Sequence, residues 1–490
     1  MQNGDSVFRK PLEVALYAAL SHLSNLDRSR VATSVNQHVL VHRLLRPLSD
    51  EGTSAEQVVA ELVNDVDGGI LGCAGGRFFA WVIGGSLPAA LAADWLTSAW
   101  DQNAALYACG PAAAVVEEIV GAWLKEILGL PAFAGFALVS GCQMAHATCM
   151  AAARHKLLAD RNWNVEELGL YGAPRIRILT SPLRHGSFDR AVRFLGLGRS
   201  QIQEVHADPQ DRMMPAALEK ALGADSSVPT VVLLQAGDIN IGAYDDFKEL
   251  IPMAKRHGAW VHVDGAFGLW AAASPRYRSL VEGIAGADSW ATDGHKWLNV
   301  PFDCGYAFVG DAESHRASMS HCAAYLTHDG QARDQIDWNP EWSRRARGFS
   351  TYAALRQLGR SGVAALIERC CQHSLSLVTR IGSLPGAEIL WKPVINQGLV
   401  CFLDQKPRAS EKDHDRRTDE VIAAITAEGE AFFAGTTWRG RRAMRVSVCN
   451  WQTSEEDVNR VVRSVERVLQ TSPVSPGVPS GSDDPRLERL

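Results

Sequence analysis

Between residues 111 and 130, apolar side chains recur at 116, 119, 120, 123, 124, 127 and 128. Steps of three and four predict one amphipathic helix, with Pro111 near its start and Gly129 closing it. From about 135 to 310 the pattern changes. Short apolar runs, "FALVS", "RIRILTS", "TVVLLQA", "AWVHVD" and "YAFVG", alternate with turn residues and with helical stretches at 143–158, 187–195 and 244–257. Such alternation predicts an α/β domain with a largely parallel sheet, whose ligands sit beyond the carboxyl ends of the strands. The first hundred residues read as helical, broken at "RPLSDEGTSAEQ". A glycine-rich piece follows, whose Phe78, Phe79 and Trp81 either fill a core or line a pocket. Beyond "GFSTYAALRQLGRSG", a helix at 363–382, strands near "LVCFL" and "RAMRVSV", and a helix at 454–469 predict a smaller α+β domain. The expected division is therefore a helical segment over 1–100, a large domain over 101–360 and a small one over 361–470. A tail over 471–490, rich in proline, glycine, serine and charge, is expected to be disordered.

Composition narrows the class without naming it. The chain has 490 residues, 46% of them hydrophobic, and 49 basic against 55 acidic residues give a net charge of −6. With no positive field to steer a polyanion, nucleic acid and anionic membrane are not expected partners. No run of about 18 apolar residues exists to span a membrane. Glu13 interrupts "KPLEVALYAALSHL", which reads as an amphipathic helix rather than a signal peptide. Ten cysteines are scattered with no C-x-x-C pair, as expected of reduced, buried thiols in a cytoplasmic protein.

Three junctions carry candidate chemistry. In "WVHVDGAFG" a strand stops at Asp264 just before a glycine, which either caps a turn or fixes a carboxylate at the ligand crevice. In "ATDGHKWLNVPFDCG", Lys296 sits in a small loop flanked by apolar residues. Burial there would lower the amine's pKa and suit it to a Schiff base. In "VSGCQMAH" a strand gives way to a helix at Ser140 and Gly141, whose free N–H groups form a phosphate cradle. An amine for an imine, an acid for a ring nitrogen and an anion seat are together what pyridoxal phosphate needs. A carboxylate about 4 Å from the pyridinium, at an effective dielectric near 20, is worth roughly 4 kcal/mol. That equals about three pKa units, enough to keep the ring protonated at neutral pH.

"VHVDGAFG" followed by "ADSWATDGHKWLNVPFDCG" resembles the signature of the group II pyridoxal-phosphate-dependent decarboxylases, relatives of the aromatic-amino-acid and glutamate decarboxylases. The resemblance runs from about 55 to 465 and includes "SGCQMAHATCMAAAR", "LRHGSFDRAVRFLG" and "WSRRARGFSTYAALRQLGRSG". It implies an aspartate-aminotransferase-type fold, a homodimer with active sites at the subunit interface, and decarboxylation of an L-amino acid; the aromatic residues of the chain slightly favour an aromatic substrate, and acidic substrates stay open. Residue by residue, it implies that Lys296 carries the cofactor and Asp264 meets the ring nitrogen. Ala266 touches one ring face, and His185 stacks on the other and helps move protons. Cys142 and Gln143 fall at the phosphate cradle. Asp293 and His295 contact the phosphate region or the substrate, and Asn240 lies nearby. Trp81 and Arg347 are substrate-contact candidates that equally suit core packing and a surface ion pair.

The sequence also departs from the family pattern. Where the decarboxylases carry a loop tyrosine that protonates the intermediate, this chain has Gln335, and the nearest tyrosine is Tyr325. Asp293 replaces a common asparagine, and Gln143 a small hydroxyl residue. Aldehyde synthesis by oxidative deamination, transamination and retro-aldol cleavage therefore stay open as outcomes at the same site. A metal-dependent hydrolase using His262, Asp264, Asp293 and His295 is a rival from another class, as is a non-catalytic binding protein on the same fold.

Overall fold

A computed structural model describes residues 5–321 and 332–471. Its larger sheet comprises β1 (Gly135–Val139), β2 (Arg177–Thr180), β3 (Ile202–Glu204), β4 (Thr230–Gln235), β5 (Trp260–Asp264), β6 (Ser289–Asp293) and β7 (Gly305–Val309). They lie in the order β1-β7-β6-β5-β4-β2-β3. Strands β2 to β6 run parallel, whereas β7 is antiparallel to both of its neighbours. The exception has a local cause. Parallel neighbours need a long crossover, but a short connection returns the chain as a hairpin. Residues 294–304 are that return, and Lys296 lies on it.

Every position of β1, β2 and β4 to β7 is buried. The sheet is covered on both faces, which is why its strands read as continuous apolar runs. Val261 and Val263 of β5 enter one core, and Trp260 enters the other together with Cys142, Ala145 and Cys149 from the helix Cys142–Ala159. His262 and Asp264 therefore point to that helix's side of the sheet, because side chains alternate along a strand.

The second sheet is antiparallel: β8 (Ala387–Trp391), β9 (Gln397–Phe402), β10 (Ala434–Trp438) and β11 (Arg441–Ser447), ordered β10-β11-β9-β8. The helices Glu411–Glu428 and Glu455–Gln470 accompany it, each opened by a serine–aspartate capping box. A long helical stretch, Gly348–Gly382, joins the two halves and breaks at Gly359, whose φ of 59° suits glycine alone. The segment before residue 100 contributes more than helices. Phe79 donates its N–H to Phe432 O and accepts one from Ser447, stitching the aromatic run to the small sheet. Phe78 and Phe79 are buried, while Trp81 stays half exposed with a left-handed backbone, φ 54°. Residues 472–490 of the expected tail, and Tyr325, lie outside the described residues.

Candidate active site

Strands β5 and β6 are parallel neighbours, with Asp264 opposite Ala291. Their carboxyl ends therefore deliver Asp264 and Asp293 side by side, and the hairpin return carries Lys296 back over them. A tight fit fixes that return: a Cβ on Gly84 would fall 2.0 Å from Lys296 O, and one on Gly305 2.5 Å from Gly141 Cα. Trp270 Nε1 also donates to Asp293 O at 3.0 Å.

Lys296 Nζ lies 2.9 Å from Asp293 Oδ2. Burial pushes the amine's pKa down, but the Asp293 carboxylate, reinforced by Cys142 and Asp264, outweighs it and the net shift is upward. This corrects the expectation of a lowered amine: desolvation acts, and an acid three residues away overrules it. Asp293 answers the sequence puzzle of an acid beside an anion seat. Its other oxygen accepts the N–H of Cys142 at 2.6 Å, so it occupies the first free donor of the helix Cys142–Ala159. His295 packs on the same group, Nε2 at 3.6 Å from Asp293 Oδ1, while its Nδ1 accepts from Cys304 N and its ring stacks on Phe302. Burial holds the His295 imidazole below its ordinary pKa.

Asp264 is buried, and desolvation alone would raise its pKa. The charges of His146, His185 and Lys296 and the His146 contact pull it instead well below the carboxylate range. It is ionised at any ordinary pH. Ala266 donates its N–H to Asp264 Oδ1 at 3.1 Å and accepts that of Asp293 at 2.9 Å, tying the two acids to one turn. His185 sits at the exposed mouth as the N-cap of the helix Gly186–Phe194, its Nδ1 taking the Ser187 N–H. Burial of its ring lowers its pKa. Asn240 ties the turn after β4 to the small sheet by accepting from Thr436 at 2.8 Å. Gln143 is half-buried at the second position of the helix that begins with Cys142.

Other candidates resolve differently. Arg347 is paired with Asp303 at 2.8 Å and Glu341 at 3.1 Å, which braces the return loop. Trp81 packs on Phe78 and Phe432. Gln335 is buried in a short turn at Gln335–Asp337, beside the backbone of Ala105. The proposed metal quartet does not assemble: among the described residues the one group spaced for a cation is Cys142, His146 and Asp264. His262 instead bonds to His146 and Ser289.

One residue had no warning in the sequence pattern. Arg445 on β11 is 7% exposed, its Nε has no hydrogen-bond partner, and its charge is felt by His185. Burial lowers its pKa and the charge of Asp238 only partly offsets that, so an added anion would be favourable beside it. Its neighbours in "RAMRVSV" mark a strand, and nothing in that pattern distinguishes a buried arginine from a surface one.

A doubly covered α/β sheet with a small antiparallel domain, and a lysine poised over a strand-end aspartate, define the aspartate-aminotransferase class of pyridoxal-phosphate enzymes. The donor set fits that cofactor: a nucleophilic amine, an ionised acid, a small residue at Ala266 and an exposed imidazole at His185. The model of the pyridoxal-dependent decarboxylase conserved domain matches residues 42–404, and the chain belongs to this family of pyridoxal-phosphate-dependent amino-acid decarboxylases. An aromatic-L-amino-acid decarboxylase of Bacillus atrophaeus is 24% identical over 93% of this chain and 94% of its own. An acidic amino acid decarboxylase of Mus musculus is 29% identical over 80% and 73%. Among solved structures, Oryza sativa TDC with PLP and tryptamine superposes with a TM-score of 0.88 at 23% identity, over 95% of this chain and 98% of that one. The 4-hydroxyphenylacetaldehyde synthase of Rhodiola rosea gives 0.82 at 20%, over 94% and 97%.

Proposed function

We propose that the chain decarboxylates an L-amino acid, aromatic in preference, with Lys296 as the residue that carries the cofactor and Asp264 as the partner of its ring nitrogen. The observation behind this is the pair itself: an amine on the hairpin return and an ionised carboxylate on the neighbouring strand, close enough for the charge of Lys296 to lower the pKa of Asp264. Pyridoxal phosphate supplies an electron sink for the bond broken at the substrate's Cα. Everything else is the protein's task. Asp264, kept anionic, holds a proton on the ring nitrogen. Ala266 leaves room on one ring face, and His185 covers the other and stands ready to exchange protons with solvent. The Gly141–Cys142 helix start, Gln143 and His295 receive the phosphate, with Asp293 shielding the amine until the cofactor arrives. Arg445, at the opposite end beside His185, takes the substrate carboxylate and so fixes which bond is turned toward the ring. The aromatic-L-amino-acid decarboxylase among the relatives is the precedent for an aromatic side chain. The acidic decarboxylase among the relatives is the competing precedent.

The working unit is a homodimer. The helix Asp5–Asn25 exposes Val7, Phe8, Leu12, Leu16, Tyr17, Leu20 and Leu23, a face with nothing to bury it in one chain. A cytoplasmic location suits the scattered cysteines, nine of which are free in the described residues.

A second reading keeps the site and changes the product. Gln335 stands where the family resemblance places the protonating tyrosine, which favours attack by dioxygen with water, releasing carbon dioxide, an aldehyde, ammonia and hydrogen peroxide. One experiment separates the two: the chain reconstituted with pyridoxal phosphate is given an amino-acid panel. Carbon dioxide with amine supports decarboxylation; ammonia with peroxide supports the second reading. Lys296→Ala is expected to lose the visible absorbance that borohydride bleaches, and its survival would end the assignment of Lys296.

A further inference from the structure

Behind Asp264, away from the crevice, a chain of polar side chains runs through the interior with no exposure at His146, His262 or Ser289. His146 Nε2 lies 3.4 Å from Asp264 Oδ2 and 3.5 Å from Cys142 Sγ. His146 Nδ1 is 2.9 Å from His262 Nε2, His262 Nδ1 is 2.8 Å from Ser289 Oγ, and Trp260 Nε1 donates to that same oxygen at 2.9 Å.

The direction of this chain follows from its ends. A carboxylate only accepts and an indole N–H only donates. A bare imidazole lone pair facing Asp264 would be repulsive, so His146 Nε2 carries the hydrogen. Its Nδ1 then accepts from His262 Nε2–H, and His262 Nδ1 accepts from the Ser289 hydroxyl, which accepts from Trp260. Every dipole points toward Asp264, and neighbouring hydrogen bonds in such a row polarise one another. In this arrangement each ring uses one nitrogen as donor and the other as acceptor.

We infer that His146 and His262 form a positioning relay that makes Asp264 a weak base, so that a proton shared between Asp264 and the cofactor's ring nitrogen stays on the nitrogen. The inference rests on Asp264 being the ring's partner. Without the relay, a dry carboxylate next to a pyridinium favours the neutral pair, acid and pyridine, because two uncharged groups cost less to bury than two charged ones. The ring would then draw electrons poorly. Lys296 and His185 also act on Asp264, from the loop after β6 and from the rim, and both are retained in the variants below.

The test reads the ring nitrogen directly. Wild type, His146→Phe, His146→Gln, His262→Phe and Asp264→Asn are reconstituted with pyridoxal phosphate carrying ¹⁵N in the ring, and the nitrogen shift reports its protonation. His146→Phe is expected to lower the ratio of protonated to free nitrogen about tenfold, the effect of one pKa unit. His146→Gln, which keeps an N–H donor, is expected to restore it. His262→Phe, which touches neither Asp264 nor the crevice, is expected to move the shift the same way by less, and it carries the test if His146→Phe fails to fold. Wild-type shifts in both phenylalanine variants, with a changed shift in Asp264→Asn, would overturn the relay and leave the Asp264 assignment standing. A wild-type shift in Asp264→Asn would remove that assignment and the relay with it.

Discussion

Asp293 decides how Lys296 behaves before the cofactor binds. The two groups are 2.9 Å apart, and the acid also holds the Cys142 N–H that the proposed function assigns to the phosphate. Replacing it by asparagine keeps an acceptor for Cys142 and removes a negative charge from the anion seat. The amine, no longer held up by the carboxylate, titrates lower. Both effects act in one direction, so Asp293→Asn is expected to bind pyridoxal phosphate about tenfold more tightly and to capture it faster at pH 7, by analogy with a one-unit shift. Equilibrium titration of cofactor absorbance measures it. Arg445 makes a separate claim at the other end of the site. If it receives the substrate carboxylate, Arg445→Gln is expected to raise KM by more than about tenfold, the loss of one charged hydrogen bond, while cofactor affinity holds. A loss of cofactor affinity instead would assign Arg445 to the phosphate. Asp264 and Lys296 drew notice in the sequence because one ends a strand and the other sits in the short glycine-marked loop after the next. Arg445 and His146 were not: one sits inside an ordinary strand and the other inside an alanine-rich helix, and only the fold shows what they face.

At the scale of elements, the strands that could be read are those buried on both faces. β1, β2, β4, β5 and β7 each carry a short run rich in apolar residues that announced them. β3 is three residues long with a half-exposed pattern, and β8 and β10 are mostly half-buried, so neither run length nor alternation marked them. β6 is buried throughout yet carries polar residues at both ends, so no apolar run marked it. The charged helix Glu411–Glu428 escaped for the same reason: its face against the small sheet is only Thr418, Val421 and Ile425. Two buried histidines on different elements give a stability prediction. Burial pushes His262 on β5 down to about 3, and His315 on the helix Ala312–Ala317 likewise to about 3. Unfolded histidine takes a proton near pH 6.5, so between about 6.5 and 3 the unfolded chain binds protons that the folded chain refuses. Each histidine therefore lowers stability by about 1.4 kcal/mol per pH unit as pH falls through that window, and costs nothing above it. Urea unfolding of the apo chain at pH 7 and pH 5 is expected to show this loss. It should be shallower in His315→Gln, whose site lies outside the Asp264 relay.

The whole molecule poses a burial problem that one chain does not solve. Its apolar cores are closed on both faces of the large sheet, yet the amino-terminal helices rest mainly on each other and leave a stripe of leucine, valine, phenylalanine and tyrosine in solvent. Val58, Leu62 and Val63 of the helix Ala55–Asp65, with Leu44, Leu45 and Leu48 nearby, extend that surface. A single exposed leucine is ordinary; a continuous apolar arm of this length is not, and a second copy presenting the same arm is the self-complementary way to cover it. Sedimentation equilibrium is therefore expected to return twice the 53.2 kDa chain mass. Leu16→Asp with Leu20→Asp, which place charges on that face and touch nothing in the crevice, should shift the population to monomer. A monomeric wild type would leave the arm unexplained and remove the dimer. A dimer that survives both charges would place the interface elsewhere on the chain, and the half-exposed Trp95, Leu96 and Trp100 of the helix Pro88–Trp100 would be the next face to charge.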